Sequence, residues 1–184
     1  MVVNPLRRAV FLDRDGVINK AEVRDGKPYA PRKLKDFRLL PKVSEAVQTL
    51  RTHGFSIIIV TNQPDIGNGL VTQDVVDSMH DKLRKRIAID DIFVCPHRQT
   101  DRCDCRKPMP GMLLAAASRH GINLEKSILV GDRISDILSG ISVGCYTVFI
   151  RRGKGYEESL QSPIPAHTIA RSLPEAVRHI LSRT

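Results

Sequence analysis

Two aspartates, Asp13 and Asp15, stand two positions apart directly after the apolar run AVFL. Residues i and i+2 of an extended chain point to the same side, so both carboxyl groups can act on one bound group. Such a pair can supply a nucleophile and a proton donor. A polar turn at the end of a buried strand has the same spacing, so the pair alone does not decide between these interpretations.

Polar residues also follow the later apolar runs of the chain. Thr61-Asn62-Gln63 follow FSIIIV, and Asp132, Arg133 and Asp136 follow SILV. The run Ile92–Val94 is followed by a cysteine-rich stretch and then by Arg106-Lys107. If these runs are parallel strands, the polar groups meet at the carboxyl edge of the sheet, where ligands bind. Carboxylates can bind Mg²⁺ and attack phosphorus, while neutral donors and a lysine hold phosphoryl oxygens. These polar groups together predict phosphoryl transfer. The sequence contains no P-loop motif, so a nucleoside triphosphate is not supported as the phosphoryl donor.

Each of these groups also has an ordinary structural interpretation. Thr61-Asn62 is compatible with a cap at the end of a strand, and Lys107 with a solvated loop lysine. Asp132 and Asp136 stand at the start of a predicted helix, where negative charge is favourable. The functional interpretation therefore depends on all the groups meeting at one place.

Three cysteines and a histidine form a second cluster, in which Cys95-x-His97 and Cys103-x-Cys105 are separated by five residues. Three thiolates and an imidazole complete a tetrahedral Zn²⁺ site and leave no position open, which predicts a structural metal. Free thiols or a disulfide are the alternatives. Cys145 is expected in the core. The other histidines lack partners at ligand spacing and are expected at helix ends or on the surface: His53, His80, His120, His167 and His179.

Apolar runs alternate with helical patterns along the chain. Strands are predicted at Ala9–Leu12, Phe55–Val60, Ile92–Val94, Ser127–Val130 and Tyr146–Ile150. Helices are predicted at Val43–Thr52, from the Thr72 cap to about Ile87, and at Pro110–His120, Arg133–Val143 and Leu173–Leu181. The order predicts an α/β, doubly wound three-layer sandwich with a mostly parallel sheet. The segments Lys20–Leu40 and Pro96–Pro110 fit neither pattern.

Length and charge narrow the classes of protein. At 184 residues and 41% hydrophobic, the chain predicts one domain over residues 1–184, with a zinc loop at about 95–105. No apolar run reaches membrane-span or signal-peptide length, so a cytoplasmic protein without a membrane partner is expected. The net charge of +9 allows an anionic partner, but aromatic residues are only 4%. We therefore expect a small phosphorylated metabolite rather than nucleic acid as partner, and a monomer.

Four motifs in order resemble those of the haloacid dehalogenase (HAD) superfamily of phosphatases: D-R-D-G, V-T-N-Q, C-R-K-P and V-G-D-R-x-x-D. The match runs from about Ala9 to Gly153. The stretch CPHRQTDRCDCRKPMPGMLLAA resembles the branch that contains the heptose 1,7-bisphosphate 7-phosphatases and the histidinol-phosphatases. The resemblance implies a Mg²⁺-dependent phosphomonoesterase without a large cap domain. The rim that selects substrate would then consist of the zinc loop and Lys20–Leu40.

The resemblance also implies roles for single residues. Asp13 would form an aspartyl-phosphate, and Asp15 would protonate the leaving group, so the two pKa values must differ. Asp13, the main-chain carbonyl of Asp15 and Asp132 would bind Mg²⁺. The remaining positions would contribute as follows: Thr61, Asn62 and Gln63 hold phosphate or substrate, Lys107 neutralises charge, Arg106 recognises substrate, Arg133 lies beside the metal, and Asp136 orients Lys107 or a metal-bound water.

The chain departs from the heptose pattern at two places on the expected rim. Shortly after the first motif it reads NKAEVRDGKPYAP in place of a His-Gly-Tyr element, and after T-N-Q it reads Pro64-Asp65-Ile66-Gly67-Asn68-Gly69. A sugar phosphate, with the heptose bisphosphate as first candidate, is the expected substrate. Histidinol phosphate, a nucleic-acid 3′-phosphate, and a non-catalytic zinc-loop binding module are the alternatives.

Overall fold

The computed structural model describes residues 6–24, 27–151 and 165–183. Its strands are β1 Ala9–Leu12, β2 Glu22–Arg24, β3 Lys27–Tyr29, β4 Ser56–Asn62, β5 Asp91–Cys95, β6 Ile128–Gly131, β7 Tyr146–Ile150 and β8 Thr168–Ala170. Its helices are α1 Val43–Thr52, α2 Pro64–Gly67, α3 Gln73–Arg84, α4 Gly111–His120, α5 Ile134–Ile141 and α6 Leu173–Leu181, with a 3₁₀ turn at Leu34–Asp36. The predicted family match beyond Arg151, including Arg152 and Gly153, lies outside the described residues.

Six strands form one parallel sheet in the order β5-β4-β1-β6-β7-β8. The chain adds β4 and β5 on one side of β1 and then β6, β7 and β8 on the other. This reversal of direction around β1 makes the sheet doubly wound and leaves a crevice at the carboxyl ends of the central strands. The predicted fold class is confirmed.

Alternate residues of the central strand pack on opposite faces of the sheet. Val10 and Leu12 belong to a core that includes residues of α1, α3 and α6, whereas Ala9 and Phe11 pack with α4. All four are fully buried. A strand covered on both faces has apolar residues at every position, which explains why AVFL shows no alternation.

The five predicted strands and five predicted helices are all present, with ends shifted by at most about three residues. Five short elements of the described residues were not predicted: β8, the four-residue helix α2, the 3₁₀ turn Leu34–Asp36, and the strands β2 and β3, which form an antiparallel hairpin within Lys20–Leu40. Each offers too few residues for a hydrophobic period to appear. None of the helices in the described part of the chain is long and apolar enough to cross a membrane.

Candidate active site

Lys107 connects the carboxyl ends of β1 and β4 with the first turn of α5. Its Nζ donates to Asp13 Oδ1 at 2.6 Å and to the main-chain oxygen of Val60 at 2.7 Å, and it lies 2.6 Å from Asp136 Oδ1. Asp13 follows β1, Val60 lies in β4, and Asp136 lies in the first turn of α5 after β6. Lys107, Asp13 and Asp136 are all buried. The predicted convergence on one crevice is therefore present in the structure.

The charges in this group are strongly coupled. Burial raises the pKa of Asp13 to about 6, with Lys107 acting in the opposite direction and Asp136 and Asp15 adding to the rise. Burial alone would lower the pKa of Lys107, but the adjacent Asp13 and Asp136 carboxylates raise it above its ordinary value. Lys107 is therefore a permanent cation, and without a metal Asp13 is a weaker acid than an exposed aspartate.

Asp132 completes a cluster of three carboxylates. Ligand oxygens of Asp13, Asp132 and Asp136 lie within 4.8 Å of one another. Burial raises the pKa of Asp132 well above its ordinary value, and Asp13 and Asp136 add to the effect. Its buried Oδ1 has no hydrogen-bond partner among the described residues. Three clustered carboxylates stand beside one lysine, and the unpartnered oxygen of Asp132 can accept a further ligand bond. Such a site suits a hard divalent cation such as Mg²⁺.

Gly16 allows Asp132 to approach the first motif. Its φ is +99°, and a Cβ atom at this position would lie 1.9 Å from Asp132 Oδ2. No L-residue with a side chain fits both the backbone conformation and the space. The glycine of D-R-D-G therefore has a definite role in closing the carboxylate cluster.

Asp15 accepts hydrogen bonds on both carboxyl oxygens. Asn19 Nδ2 donates to Oδ1 at 2.9 Å, Gln63 Nε2 donates to Oδ2 at 2.7 Å, and the Arg14 guanidinium donates to both at 2.9–3.1 Å. All of these neighbours donate, so the contacts are those of a carboxylate, and the expected role of Asp15 as a proton donor stays a prediction. Asp15 is thus held in a fixed orientation, and its side chain contacts Arg14 rather than Lys107.

The V-T-N-Q motif at the end of β4 makes hydrogen bonds to the lysine loop and to Asp15. Asn62 Nδ2 donates to the main-chain oxygen of Lys107 at 3.1 Å, and the main-chain N–H of Lys107 donates to Asn62 Oδ1 at 3.1 Å. Gln63 Nε2 donates to Thr61 Oγ1 at 2.8 Å as well as to Asp15. Asn62 therefore positions the lysine loop, while Thr61 and Gln63 adjoin Asp15; their predicted contacts with phosphate stay predictions.

A cleft of about 390 Å³ opens above Asp13 and Asp15. Pro28 and Tyr29 of the hairpin, Gln99 of the cysteine-rich segment, and Arg106 line it. Two contacts join its rim: Arg133 donates to the oxygen of Pro28 at 2.9 Å, and Arg32 lies 2.6 Å from Asp65. Lys20–Leu40 and the cysteine segment thus both contribute to the rim, as expected, and Pro64 and Asp65 of α2 line the cleft as well. A wider surface depression of about 590 Å³ beside Lys42 and Arg171 contains none of the predicted site residues.

The predicted zinc ligands meet in space. Cys103 Sγ lies 3.8 Å from Cys95 Sγ and 3.6 Å from Cys105 Sγ, and His97 Nδ1 lies 3.2 Å from Cys105 Sγ and 3.6 Å from Cys95 Sγ. Zn–S distances of about 2.3 Å in a tetrahedron place two sulfurs about 3.8 Å apart, so the spacing suits Zn²⁺. The cysteines are free thiols. Burial raises the pKa of the Cys95 thiol to about 12, so binding a metal here would release its proton.

One histidine prediction is wrong. His80 is 6% exposed, lies within α3 rather than at its end, and contacts the Arg14 guanidinium at 3.0 Å. It shares the buried face of α3 with Val76, Met79 and Leu83, at the spacing of a helical period. That period was visible in the sequence and could have identified His80 as buried. Cys145 is buried, and its thiol has a pKa raised to about 12 by burial, as expected of a core residue.

Comparison with known proteins gives consistent matches. A family model described as HAD-hydrolase-like matches residues 104–176. The D-glycero-beta-D-manno-heptose-1,7-bisphosphate 7-phosphatase of Pseudomonas aeruginosa is 36% identical over 168 residues, covering 89% of this chain and 91% of that protein. The D-glycero-alpha-D-manno-heptose-1,7-bisphosphate 7-phosphatase of Mycobacterium tuberculosis is 40% identical over 134 residues, covering 70% of this chain and 68% of that protein.

A solved structure also matches the fold. The D,D-heptose 1,7-bisphosphate phosphatase of B. bronchiseptica, complexed with magnesium and phosphate, superposes with a TM-score of 0.84 at 28% identity, covering 96% of this chain and 99% of that one. The chain therefore belongs to the HAD superfamily of phosphatases, in the branch that contains the heptose bisphosphate phosphatases. It is a phosphoric monoester hydrolase.

Proposed function

We propose that this enzyme removes the 7-phosphate of D-glycero-D-manno-heptose 1,7-bisphosphate, with Asp13 as nucleophile and Mg²⁺ as cofactor. The observation that carries the chemistry is the buried Asp13 carboxylate, held 2.6 Å from Lys107 at the floor of the cleft. The relatives named as heptose bisphosphate phosphatases support the substrate.

The carboxylate cluster supports a metal-assisted displacement. Magnesium, held by Asp13, Asp132 and the main-chain carbonyl of Asp15, would supply a Lewis acid that offsets the charge of phosphate and carboxylates. Asp13 attacks phosphorus, and the bond from phosphorus to the sugar oxygen breaks. Lys107 stays in contact with Asp13 and stabilises the negative charge that builds up on the phosphoryl oxygens.

Asp15 moves the proton. As the sugar leaves, the carboxyl of Asp15 donates its proton to the leaving oxygen; the resulting carboxylate then accepts a proton from the water that attacks the aspartyl-phosphate. Phosphate is released and Asp13 is restored, so protons and charges balance over the cycle. In the structure both carboxyl oxygens of Asp15 accept hydrogen bonds, so the protonated form that acts as acid would give up part of them, and the bonds from Asn19 and Gln63 would hold the resulting carboxylate for the second transfer.

The remaining residues would bind the substrate. Thr61 and the main chain around Asn62 would hold phosphoryl oxygens, and Arg106 would recognise the sugar or its second phosphate. Arg106 supports this role because it lines the cleft and its buried Nη1 lacks a hydrogen-bond partner among the described residues. Arg133 joins the hairpin to the edge of the cleft, where it would shape the entrance beside the metal.

A kinetic screen tests the substrate. With Mg²⁺ present, both anomers of the heptose bisphosphate, hexose phosphates and histidinol phosphate are ranked by kcat/KM. We expect a heptose bisphosphate to lead by at least about 10-fold, since a hydrogen bond to a charged group such as a second phosphate is worth roughly 1.5–3 kcal/mol. Histidinol phosphate ranked first would overturn the assignment.

The proposal includes a monomer that works in the cytoplasm on this small metabolite, with Zn²⁺ holding the cysteine loop. Sedimentation of the purified protein tests the monomer. A salt titration separates a nucleic-acid 3′-phosphatase, because affinity for DNA falls steeply with salt whereas turnover of a small ester does not. A binding module without activity would release no phosphate from any ester in the screen.

A further inference from the structure

Arg14 is a buried cation beside the catalytic acids. It is 0% exposed and stands between Asp13 and Asp15 in the chain. A guanidinium has five donors and no acceptor, so in a buried position each donor needs a partner. Nε and Nη2 donate to Asp15, and the guanidinium carbon lies 5.5 Å from the centre of the Phe37 ring.

His80 provides the partner on the other side. Its Nε2 lies 3.0 Å from Arg14 Nη1. Burial, and next the positive charge of Arg14, lower the pKa of His80 to about 4, so the ring is neutral. Because Arg14 can only donate, Nε2 must be the accepting nitrogen, and the ring proton resides on Nδ1.

We propose that His80 and Arg14 are positioning residues for the proton transfer by Asp15. His80 fixes the plane of the guanidinium, and the guanidinium fixes where the Asp15 carboxyl group lies at the cleft. The bonds from Arg14 Nε and Nη2 to Oδ2 can remain while Oδ1 carries the proton for the leaving group. The inference rests on the proposed role of Asp15 as general acid and base, and it assigns a function to a residue of α3 that lies outside the four motifs.

The leaving group of the substrate determines how much a misplaced Asp15 lowers kcat/KM. An alkoxide is a poor leaving group and needs the proton of Asp15 while its bond to phosphorus breaks, whereas p-nitrophenolate leaves without protonation. The ratio kcat/KM reports the steps up to this transfer. A misplaced Asp15 should therefore slow a sugar phosphate far more than p-nitrophenyl phosphate, and a general loss of structure should slow both equally.

The experiment compares His80→Leu, which removes the acceptor, with His80→Gln, whose amide oxygen can accept from Arg14. For His80→Leu we expect kcat/KM on a sugar phosphate to fall by about 10–100-fold, part of the 10²–10⁴ that a positioned acid contributes, and to fall less than about 3-fold on p-nitrophenyl phosphate. His80→Gln should recover most of the loss. His179→Leu, which changes an exposed histidine of α6, should behave as the unchanged protein.

Two further variants keep the test decisive. Arg14→Lys keeps the charge but loses the bidentate fork, so it should show the same leaving-group dependence even if His80→Leu fails to fold. Asp15→Asn separates the two proposals: if it slows both esters equally, the role of Asp15 is wrong. If Asp15→Asn shows the dependence while the folded His80 and Arg14 variants lose activity equally on both esters, or lose none, the positioning proposal is overturned.

Discussion

Lys107 and Gly16 show how single residues set the chemistry of the site. Lys107 is a cation enclosed by Asp13 and Asp136, and Gly16 leaves the space that the Asp132 carboxylate fills. Neither acts as nucleophile or acid. Both determine whether three carboxylates can remain close together in a buried place.

Replacing Lys107 by methionine keeps the length of the side chain and removes its charge. Asp13 and Asp136 then lose their shared counter-charge, and the phosphoryl group loses a cation in the transition state. We expect kcat to fall by about 10²–10³-fold, the usual loss for one preorganised donor. Steady-state kinetics measure this, with the exposed Lys126→Met as control. Activity within a few-fold of the unchanged protein would show that Lys107 is not part of the reaction.

Gly16→Ala should separate a steric effect from backbone strain. A Cβ at Gly16 meets Asp132 Oδ2, while a Cβ at Gly54, which also has positive φ, meets no atom of the described residues within 4 Å. Both changes strain the backbone by roughly 1–2 kcal/mol. We expect Gly54→Ala to lose stability only, and Gly16→Ala to weaken Mg²⁺ binding, measured calorimetrically, as well. Equal Mg²⁺ affinity in both variants contradicts the proposed role of Asp132.

The reactive residues after the strands were predictable from the sequence, whereas the residues that support them were not. Asp13, Asp132 and Asp136 follow apolar runs, and Lys107 follows the cysteine-rich stretch after another such run. The topology of a parallel sheet brings these positions together. The contact between Arg14 and His80 joins residues 66 positions apart. No local pattern encodes a contact of that range, although the helical period does place His80 on a buried face.

Among the elements, the cysteine loop has the most direct effect on the site. Cys105 precedes Arg106 and Lys107, so the cluster of Cys95, His97, Cys103 and Cys105 holds the start of the segment that carries both cations. The loop is polar and has little apolar surface to bury, so a metal would replace the missing hydrophobic stabilisation.

Cys105→Ala should therefore lower both metal content and activity. We expect about one zinc per chain in the unchanged protein, a substantial loss of zinc in the variant, a lower Tm, and a reduced kcat because Lys107 is less firmly placed. Atomic emission and thermal melting measure these, with Cys145→Ala as a control that removes a thiol outside the cluster. Much less than one zinc in the unchanged protein, purified without chelator, contradicts the zinc site.

The long elements were predictable because their periods are repeated several times. Val43–Thr52 has four buried residues on one face, and Tyr146–Ile150 is apolar over most of its length. The hairpin of β2 and β3 could not be predicted in this way. It pairs three residues with three, includes a proline, and is placed by tertiary contacts such as that between Arg133 and Pro28.

For the molecule as a whole, the carboxylate cluster couples stability to pH and to metal. Burial raises the pKa of Asp13 from an ordinary value of 3.8 to about 6, and that of Asp132 is raised as well. A folded-state pKa above the unfolded one means that the folded protein binds protons more tightly across this interval. The free energy of unfolding of the metal-free protein should therefore decrease as pH rises from about 4 to about 6.

Added Mg²⁺ favours the ionised carboxylates and should restore stability above pH 6 by mass action. Denaturant unfolding of chelator-treated protein across this pH range measures the effect, with Asp13→Asn for comparison. The variant lacks the titrating group, so its stability should decrease less with pH and gain less from Mg²⁺. Parallel pH curves for the two proteins would contradict the assignment of a raised pKa to Asp13.

Trapping the covalent intermediate is the most direct test of Asp13 as the nucleophile. The enzyme is mixed with heptose bisphosphate and Mg²⁺, quenched in acid within milliseconds, digested and analysed by mass spectrometry. If Asp13 is the nucleophile, we expect one added phosphoryl group on the peptide that contains Asp13, and none in Asp13→Asn, which should also lose Mg²⁺-dependent release of phosphate. Undiminished phosphate release by Asp13→Asn, or a phosphoryl group on another residue during turnover, would contradict this role of Asp13.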